Sequence, residues 1–280
     1  IEGAVDSLQC LSPDDEMVLI GDKEIIYRKL EELNTSPSNF LIIHTSQFIE
    51  MGDVPAKAYS QKPDSSIAVG YKMLKEKAIN GFCSAGNTGA MLVGASYTLN
   101  VIPGVLRPAL ATIVPALDNH NAVILDVGLN PECKPEVLCQ YGILGSIFAK
   151  HVLEAREPTV RLLNIGAEET KGTSTIKAAY ELMRDHPGIN FEGNIEANSL
   201  FSESMSDVIV CDGFVGNVIL KQTEAFYHIY KTRNLKDSYL ECLDFESIGG
   251  TPIVGINANV VIGHGISRRK AIMNMIHQTW

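Results

Sequence analysis

The sequence predicts an α/β fold: a mostly parallel, doubly wound sheet with helices on both faces. Three observations carry this. Apolar runs of strand length alternate with amphipathic stretches of helix length along the 280 residues. Strand-like runs such as Val208–Cys211 are apolar at nearly every position, which suits a parallel sheet covered on both sides. Hydrophobic side chains make up 45% of the chain and charged ones 20%, so a sizeable core is available. The expected organisation is a single α/β domain over residues 1–280, in one lobe or two, with no repeat, low-complexity tract or obvious linker.

In chain order, the predicted strands are Met17–Ile20, Phe40–Ile43, Gly81–Ser84, Ala122–Val127, Val160–Ile165, Val208–Cys211 and Val260–Gly263. The predicted helices are Lys23–Leu33, Ser66–Lys77, Glu136–Leu153, Thr175–Asp185, Asn217–Tyr230 and Ser267–Ile276. In the helix from Thr175, Ile176, Ala179, Tyr180 and Met183 share one face, with Glu181, Arg184 and Asp185 off it. Thr45–Ser65, containing Met51-Gly52-Asp53-Val54-Pro55 and Lys62-Pro63-Asp64, reads as a long functional loop. Ala78–Leu106 carries no charge and is long enough to cross a bilayer. Its Asn80, Asn87, Asn100, Pro103 and glycines instead make it strand, turn and helix within a soluble protein.

Composition narrows the function. A net charge of −10 argues against wholesale nucleic-acid binding, leaving only a local basic patch open. No secretory leader precedes the apolar segments, and the chain opens on Ile1 rather than Met, so a preceding piece is expected. The six cysteines form no C-x-x-C pair, and Cys83 and Cys211 sit in apolar runs as ordinary buried thiols. A reducing cytoplasm is the expected setting.

The chemistry lies where the glycines fall. Five strand-like runs each lead into a Gly-rich or polar turn: Ser84–Ala90, Asp126–Asn130, Asn164–Thr173, Asp212–Val218 and Gly263–Ser267. Parallel strands release such turns at one carboxyl edge, where open α/β sheets place ligands. Glycine admits close backbone approach, and a helix N-terminus offers unpaired N–H groups, so the cluster predicts an anion-binding crevice. Any single turn could equally be plain punctuation between strand and helix. No G-x-x-x-x-G-K-[ST], G-x-G-x-x-G or G-x-S-x-G is present, so phosphate-loop, dinucleotide and serine-hydrolase readings lack support. The histidines show no metal-ligand spacing, and no metal or cofactor is expected. Only His264, between two glycines at a strand exit, is a functional candidate; the others read as ordinary core or surface residues.

The segments SAGNTGA (Ser84–Ala90), DVGLN (Asp126–Asn130), LLNIGAEETKGT (Leu162–Thr173), CDGFVGNV (Cys211–Val218) and IGHGIS (Ile262–Ser267) resemble the bacterial phosphate acyltransferases of phospholipid synthesis. The resemblance extends to Lys62–Ile67 and to Tyr239–Gly255, covering nearly the whole chain in order. It implies transfer of a long acyl chain from acyl carrier protein to inorganic phosphate, giving acyl phosphate for a membrane acyltransferase. It also implies a fold similar to isocitrate and isopropylmalate dehydrogenases and to phosphate acetyltransferase, as a homodimer. Departures are Leu129 for the usual Ala, Ala167 for the usual acidic residue, and Glu196-Ala197-Asn198 for the usual Glu-Gly-Arg. The opening strand and Met-Gly-Gly-Asp-like turn of the family have no counterpart before Ile1, and are expected to be missing.

The resemblance points to Lys171 and Asn217 as the catalytic positions. Phosphate itself can attack the thioester, so no enzyme nucleophile is required, only a seat for the anion and an oxyanion donor. Lys171 would contact phosphate or the developing oxyanion, and Asn217 the carbonyl oxygen. By spacing alone, Lys171 reads as a solvated loop lysine and Asn217 as a helix N-cap. Expected substrate contacts are Ser84, Gly86, Asn87, Thr88, Gly89, Asn130, Gly213, Gly216, His264 and Ser267. Asp126 and Asp212 would repel phosphate unless they hold a cation or orient a donor. Against an acidic carrier protein, a chain of net charge −10 must use a local cationic cluster. Arg268-Arg269-Lys270, or Lys231, Arg233 and Lys236, supply one; a solvated helix end is the plain alternative. Peripheral membrane association rests on Phe226–Tyr230, which equally suits a dimer contact. A short-chain acyl-coenzyme A enzyme and a non-catalytic anion-binding protein share the same crevice logic and remain alternatives.

Overall fold

The computed structural model describes residues 1–117, 120–202 and 206–280. The chain divides into two compact units, the first comprising Ile1–Asn100, Phe245–Pro252 and Ile256–Trp280, the second Val101–Asp244 and Ile253–Gly255. The first run contributes α1 (Glu2–Ser7), β1 (Val18–Gly21), α2 (Lys23–Glu32), β2 (Leu41–His44), α3 (Pro55–Gln61), α4 (Ser66–Lys75), β3 (Gly81–Ser84) and α5 (Thr88–Thr98). The second unit holds β4 (Ala109–Pro115), β5 (Asn121–Leu125), α6 (Pro135–Val152), β6 (Thr159–Asn164), α7 (Ser174–Arg184), β7 (Asn190–Glu196), β8 (Val208–Val210), α8 (Gly213–Thr232) and α9 (Ser238–Cys242). The chain closes with α10 (Phe245–Ile248), β9 (Thr251–Val254), β10 (Asn259–Ile262) and α11 (Arg269–Thr279).

In the first unit β1 pairs with β2, and β3 with β10, both in parallel; β10 meets the start of β9 antiparallel. Polar residues start the helices. The Asp22 carboxylate caps α2, and Ser65 and Asn87 cap α4 and α5, each accepting amide hydrogens that the helix cannot itself satisfy. Ala4, Ile26, Leu30 and Phe40 form one small core, flanked by Leu19, Ile42 and Ile276.

In the second unit the strand order from β4 is β4-β5-β8-β6-β7. The last four run parallel, while β4 is antiparallel to β5 and to the end of β9. All three residues of β8, and Ala122 to Leu125 of β5, are buried, so both faces of these strands are covered. Helix α6 packs on β5, β6 and β8, and α7 packs on α6, β6 and β7. Thus the sheet is mostly parallel, as the apolar strands predicted.

The structure corrects several expected elements. Thr45–Ser65 is not all loop: α3 lies within it, started by Pro55 at its first position, where a missing N–H costs nothing. Strands β4, β7 and β9 were not anticipated. β7 is an edge strand interrupted by Gly193 at φ +92°, opposite a shift of register in β6, which breaks the alternation a strand would show. Helix α8 begins at Gly213, four residues before the predicted start, because Asp212 accepts from the Val215 amide and caps it. Ala78–Leu106 contains β3 and α5, and no helix among the described residues is long and apolar enough to cross a membrane. None of the six cysteines is in a disulfide.

Leu162, fully buried in β6, tests the core of the second unit, where it packs with Val123, Tyr141, Val160 and Val208 in one cluster. Leu162→Ala is expected to lower unfolding free energy by about 2–5 kcal/mol in a urea titration, with a smaller loss showing that the neighbours collapse into the space.

Candidate active site

In the second unit β5, β8 and β6 are adjacent and parallel, so the turns that follow them leave at one edge. The start of β4 flanks the first of these turns, with the Val127 amide donating to the Leu110 carbonyl at 3.1 Å. At the centre is the fully buried carboxylate of Asp126. Its Oδ1 accepts from the amides of Leu110, Gly128 and Leu129 at 3.0–3.1 Å. Its Oδ2 accepts from the Asn130 amide at 2.6 Å and from Asn130 Nδ2 at 2.9 Å. Asn130 Nδ2 also reaches the Pro108 carbonyl and the Tyr141 hydroxyl, both at 2.8 Å. A buried carboxylate is costly unless its lone pairs are filled, and here they are. Asp126 therefore organises the turn rather than facing a ligand. Asn130, expected to contact substrate, is buried and its amide is engaged in this network.

Helix α8 is pressed against the same turn. The Gly213 amide donates to the Asn130 carbonyl at 2.8 Å, and a side chain on Gly213 would come within 2.9 Å of the Asn130 backbone. A side chain on Gly216 would collide with the Asp126 carbonyl oxygen. These two glycines permit helix-to-turn packing, and their amides are bonded within the protein, to Asn130 and to the Asp212 carbonyl. Asn217 is the fifth residue of α8, not its cap. Its Nδ2 lies over Gly128 and donates to the Val127 carbonyl at 3.3 Å, leaving a second N–H on an exposed side chain.

Lys171 stands in the turn between β6 and α7. Its amide donates to the Glu168 carbonyl at 3.1 Å and its carbonyl accepts from Asn164 Nδ2 at 3.2 Å. Asn194, buried on β7, donates to the Glu168 carbonyl at 3.0 Å. Gly172 follows at φ +90°, a conformation that a side chain resists. Two asparagines from neighbouring strands thus fix the backbone of the turn while the Lys171 side chain is exposed, with no carboxylate at ion-pairing distance among the described residues. Two thiols approach the Asp126 turn. Burial pushes Cys133 up to about 11, helped by the charges of Asp126 and Asp212, and pushes the fully buried Cys211 well above its ordinary value. Neither is a thiolate at neutral pH, as a cysteine nucleophile would need to be.

In the first unit the turns after β3 and β10 also leave at one edge, and the Gly263 amide donates to the Ser84 carbonyl at 2.9 Å. Ser84 Oγ accepts from the Gly86 amide at 3.1 Å. Asn87 is buried; its Oδ1 caps α5 at the Ala90 amide and its Nδ2 points to the carbonyls of Glu50, Met51 and Asp53 at 2.9–3.3 Å. It is a strut for the 50–53 segment, not an open donor as expected. Gly89 packs against Pro55, and Thr88 is exposed in the first turn of α5. His264 Nδ1 accepts from the Ile266 amide at 3.4 Å, and its carbonyl accepts from the Ser267 amide at 2.8 Å. Ser267 Oγ is buried without a hydrogen-bond partner.

The cationic cluster is partly spent. Arg269 holds both Asp6 oxygens in a forked pair, which keeps the Asp6 carboxyl below its usual range. Lys270 Nζ donates to Ser247 Oγ at 2.6 Å. Arg268, exposed at the start of α11, has no such tether among the described residues. In the predicted aromatic run Tyr230 is buried, whereas Phe226 and Ile229 are exposed. Among the described residues no group of three His, Cys, Asp or Glu side chains could hold a metal ion. Residues that the motifs did not single out are Arg107, whose Nη1 lies 3.4 Å from Asn130 Oδ1, and the anchors Tyr141 and Asn194. The signal for Arg107 is the apolar run Ala109–Pro115: recognised as a strand, it places the arginine at that strand's entrance.

The family described as fatty acid synthesis protein matches residues 1–280. The chain is 36% identical to a phosphate acyltransferase of Dictyoglomus turgidum, over 99% of this chain and 87% of that protein. It is 39% identical to a phosphate acyltransferase of Halothermothrix orenii, over 99% and 88%. Among solved structures it is similar to a phosphotransacetylase from Streptococcus pyogenes, with TM-score 0.70 and 15% identity, over 100% of this chain and 90% of that one. A 4-hydroxythreonine-4-phosphate dehydrogenase from Klebsiella pneumoniae shares the fold at TM-score 0.54 and 14% identity, over 99% and 92%.

Asp126→Asn turns a donor NH2 toward N–H groups that need an acceptor. It is expected to cost about 3–5 kcal/mol of unfolding free energy by chemical denaturation. A loss under about 1 kcal/mol, the scale of one ordinary hydrogen bond, would show that the carboxylate does not hold the turn.

Proposed function

This chain belongs to the fatty acid synthesis protein family, beside relatives that are phosphate acyltransferases, and on that premise we propose that it moves a long fatty acyl chain from acyl carrier protein to inorganic phosphate. That it is an acyltransferase follows from the family; the carrier, the direct attack and the residue roles are our reading. A phosphate oxygen attacks the thioester carbonyl carbon, and the carbonyl π electrons move onto oxygen. Collapse of the tetrahedral species re-forms the carbonyl and breaks the C–S bond. Acyl phosphate departs, and the thiolate takes up a proton. The leaving thiol has a pKa of roughly 8–9, so its expulsion needs little acid help, and no covalent enzyme intermediate is required.

One observation carries the reading. Lys171 stands on the turn after β6 and Asn217 in the opening turns of α8, the helix that follows β8; β6 and β8 are adjacent and parallel, and each side chain has a donor to spare. In this role the Lys171 ammonium meets phosphate or the growing oxyanion, and the second Asn217 N–H meets the carbonyl oxygen, near the positive end of α8. Arg268 is proposed to meet the carrier. The reading includes a homodimer in the cytoplasm, with peripheral attachment to the membrane that consumes the product.

Long-chain acyl carrier protein mixed with labelled phosphate is expected to yield a labile labelled acyl phosphate, and acetyl-coenzyme A far less. Lys171→Ala is expected to keep the fold, by circular dichroism and melting temperature, and to lose turnover by about two orders of magnitude or more. Near-wild-type turnover in that variant would reject the role given to Lys171.

A further inference from the structure

Arg107 is exposed, immediately before the strand that flanks the Asp126 turn. Among the described residues its one hydrogen bond is long, from Nη1 to Asn130 Oδ1 at 3.4 Å, and the other N–H donors of its guanidinium have no protein partner there. That partner cannot shift, because Asn130 Nδ2 is tied to the Pro108 carbonyl, Asp126 and Tyr141. Pro108 also restrains the backbone of Arg107 from the C-terminal side, and its carbonyl takes the Tyr141 hydroxyl at 3.4 Å as well as Asn130. Asp126 would be the natural counterion, yet five donors already fill its lone pairs. No other carboxylate pairs with Arg107 among the described residues. The result is a guanidinium at the edge of the turn cluster, tethered weakly to a fixed asparagine and with no carboxylate partner among the described residues.

We propose that Arg107 binds the phosphate co-substrate, as a second cation at the sheet edge from which the Lys171 turn leaves. The inference rests on the reading that phosphate is the acyl acceptor in this site. A multiply charged oxyanion is poorly held by one ammonium. A planar fork matches two phosphate oxygens at once, which a lysine cannot do. Asn130 acquires a purpose in this scheme: it aims the fork, rather than touching substrate itself.

The test compares wild type with Arg107→Gln and Arg107→Lys, using inorganic phosphate and long-chain acyl carrier protein, with Arg156→Gln as a distant control. Arg107→Gln is expected to raise KM for phosphate about tenfold to a hundredfold, the scale of one lost charge-assisted contact, while KM for the acyl donor stays within about twofold. Arg107→Lys, which keeps the charge but not the fork, falls between. In parallel, phosphate alone is expected to raise the melting temperature of wild type and of Arg156→Gln but not of Arg107→Gln. An unchanged phosphate KM overturns the proposal, as does a rise confined to the carrier, which would make Arg107 a docking residue. An equal loss in both KM values with a lowered melting temperature overturns it in favour of a structural prop for Asn130. If wild type stabilises with phosphate through Arg107 yet forms no acyl phosphate, the function proposed above fails while the arginine assignment stands.

Discussion

A single buried carboxylate sets the geometry on which the rest of the second unit depends. Asp126 has no exposed surface, and among the described residues the hydrogen bonds its carboxylate accepts come from the turn it begins and from the entrance of β4. Ionised carboxylates are tolerated in such places only when fully saturated, so the turn cannot relax without leaving a buried charge unpaired. That rigidity is passed outward. The Asn130 carbonyl receives the Gly213 amide, and Gly216 brings α8 against the Asp126 carbonyl. The position of Asn217 on α8 follows from those two approaches.

A second device fixes the lysine turn. Asn164 and Asn194 each spend an amide on a backbone carbonyl of the 168–171 segment, so the turn is braced without touching the Lys171 side chain. This division suits anion chemistry. Preorganised donors gain their advantage by not having to reorganise when charge develops, and a backbone pinned from behind leaves the charged end unencumbered. The first unit shows the same economy in Asn87, which caps α5 and tethers the 50–53 segment with one side chain.

Much of this architecture was legible before any coordinates. The apolar strands announced a parallel sheet, and the Gly-rich turns marked where β3, β5, β6, β8 and β10 end. Four of the glycines and asparagines expected to contact substrate have other partners in the structure. Asn87, Asn130, Gly213 and Gly216 face the protein. A short motif reports that a backbone passes close to something; it does not report whether that neighbour is substrate or another turn. The same ambiguity hid the pairing of Arg269, since its partner Asp6 lies at the other end of the chain.

Local order decided what the sequence by itself could determine: the alternation of strand and helix, the polar caps, the positions of the turns, and the family through motifs spread along the whole chain. Those properties depend on neighbours within a few residues, so they are written in spacing and residue type. Tertiary structure alone decided that β4 and β9 run against their neighbours, that Asp126 is saturated, and that Arg107 pairs with no carboxylate among the described residues. Each of these is settled by which distant backbone groups arrive at a given carboxylate or amide. Charge and hydrogen bonding act through space, over distances that sequence separation does not record.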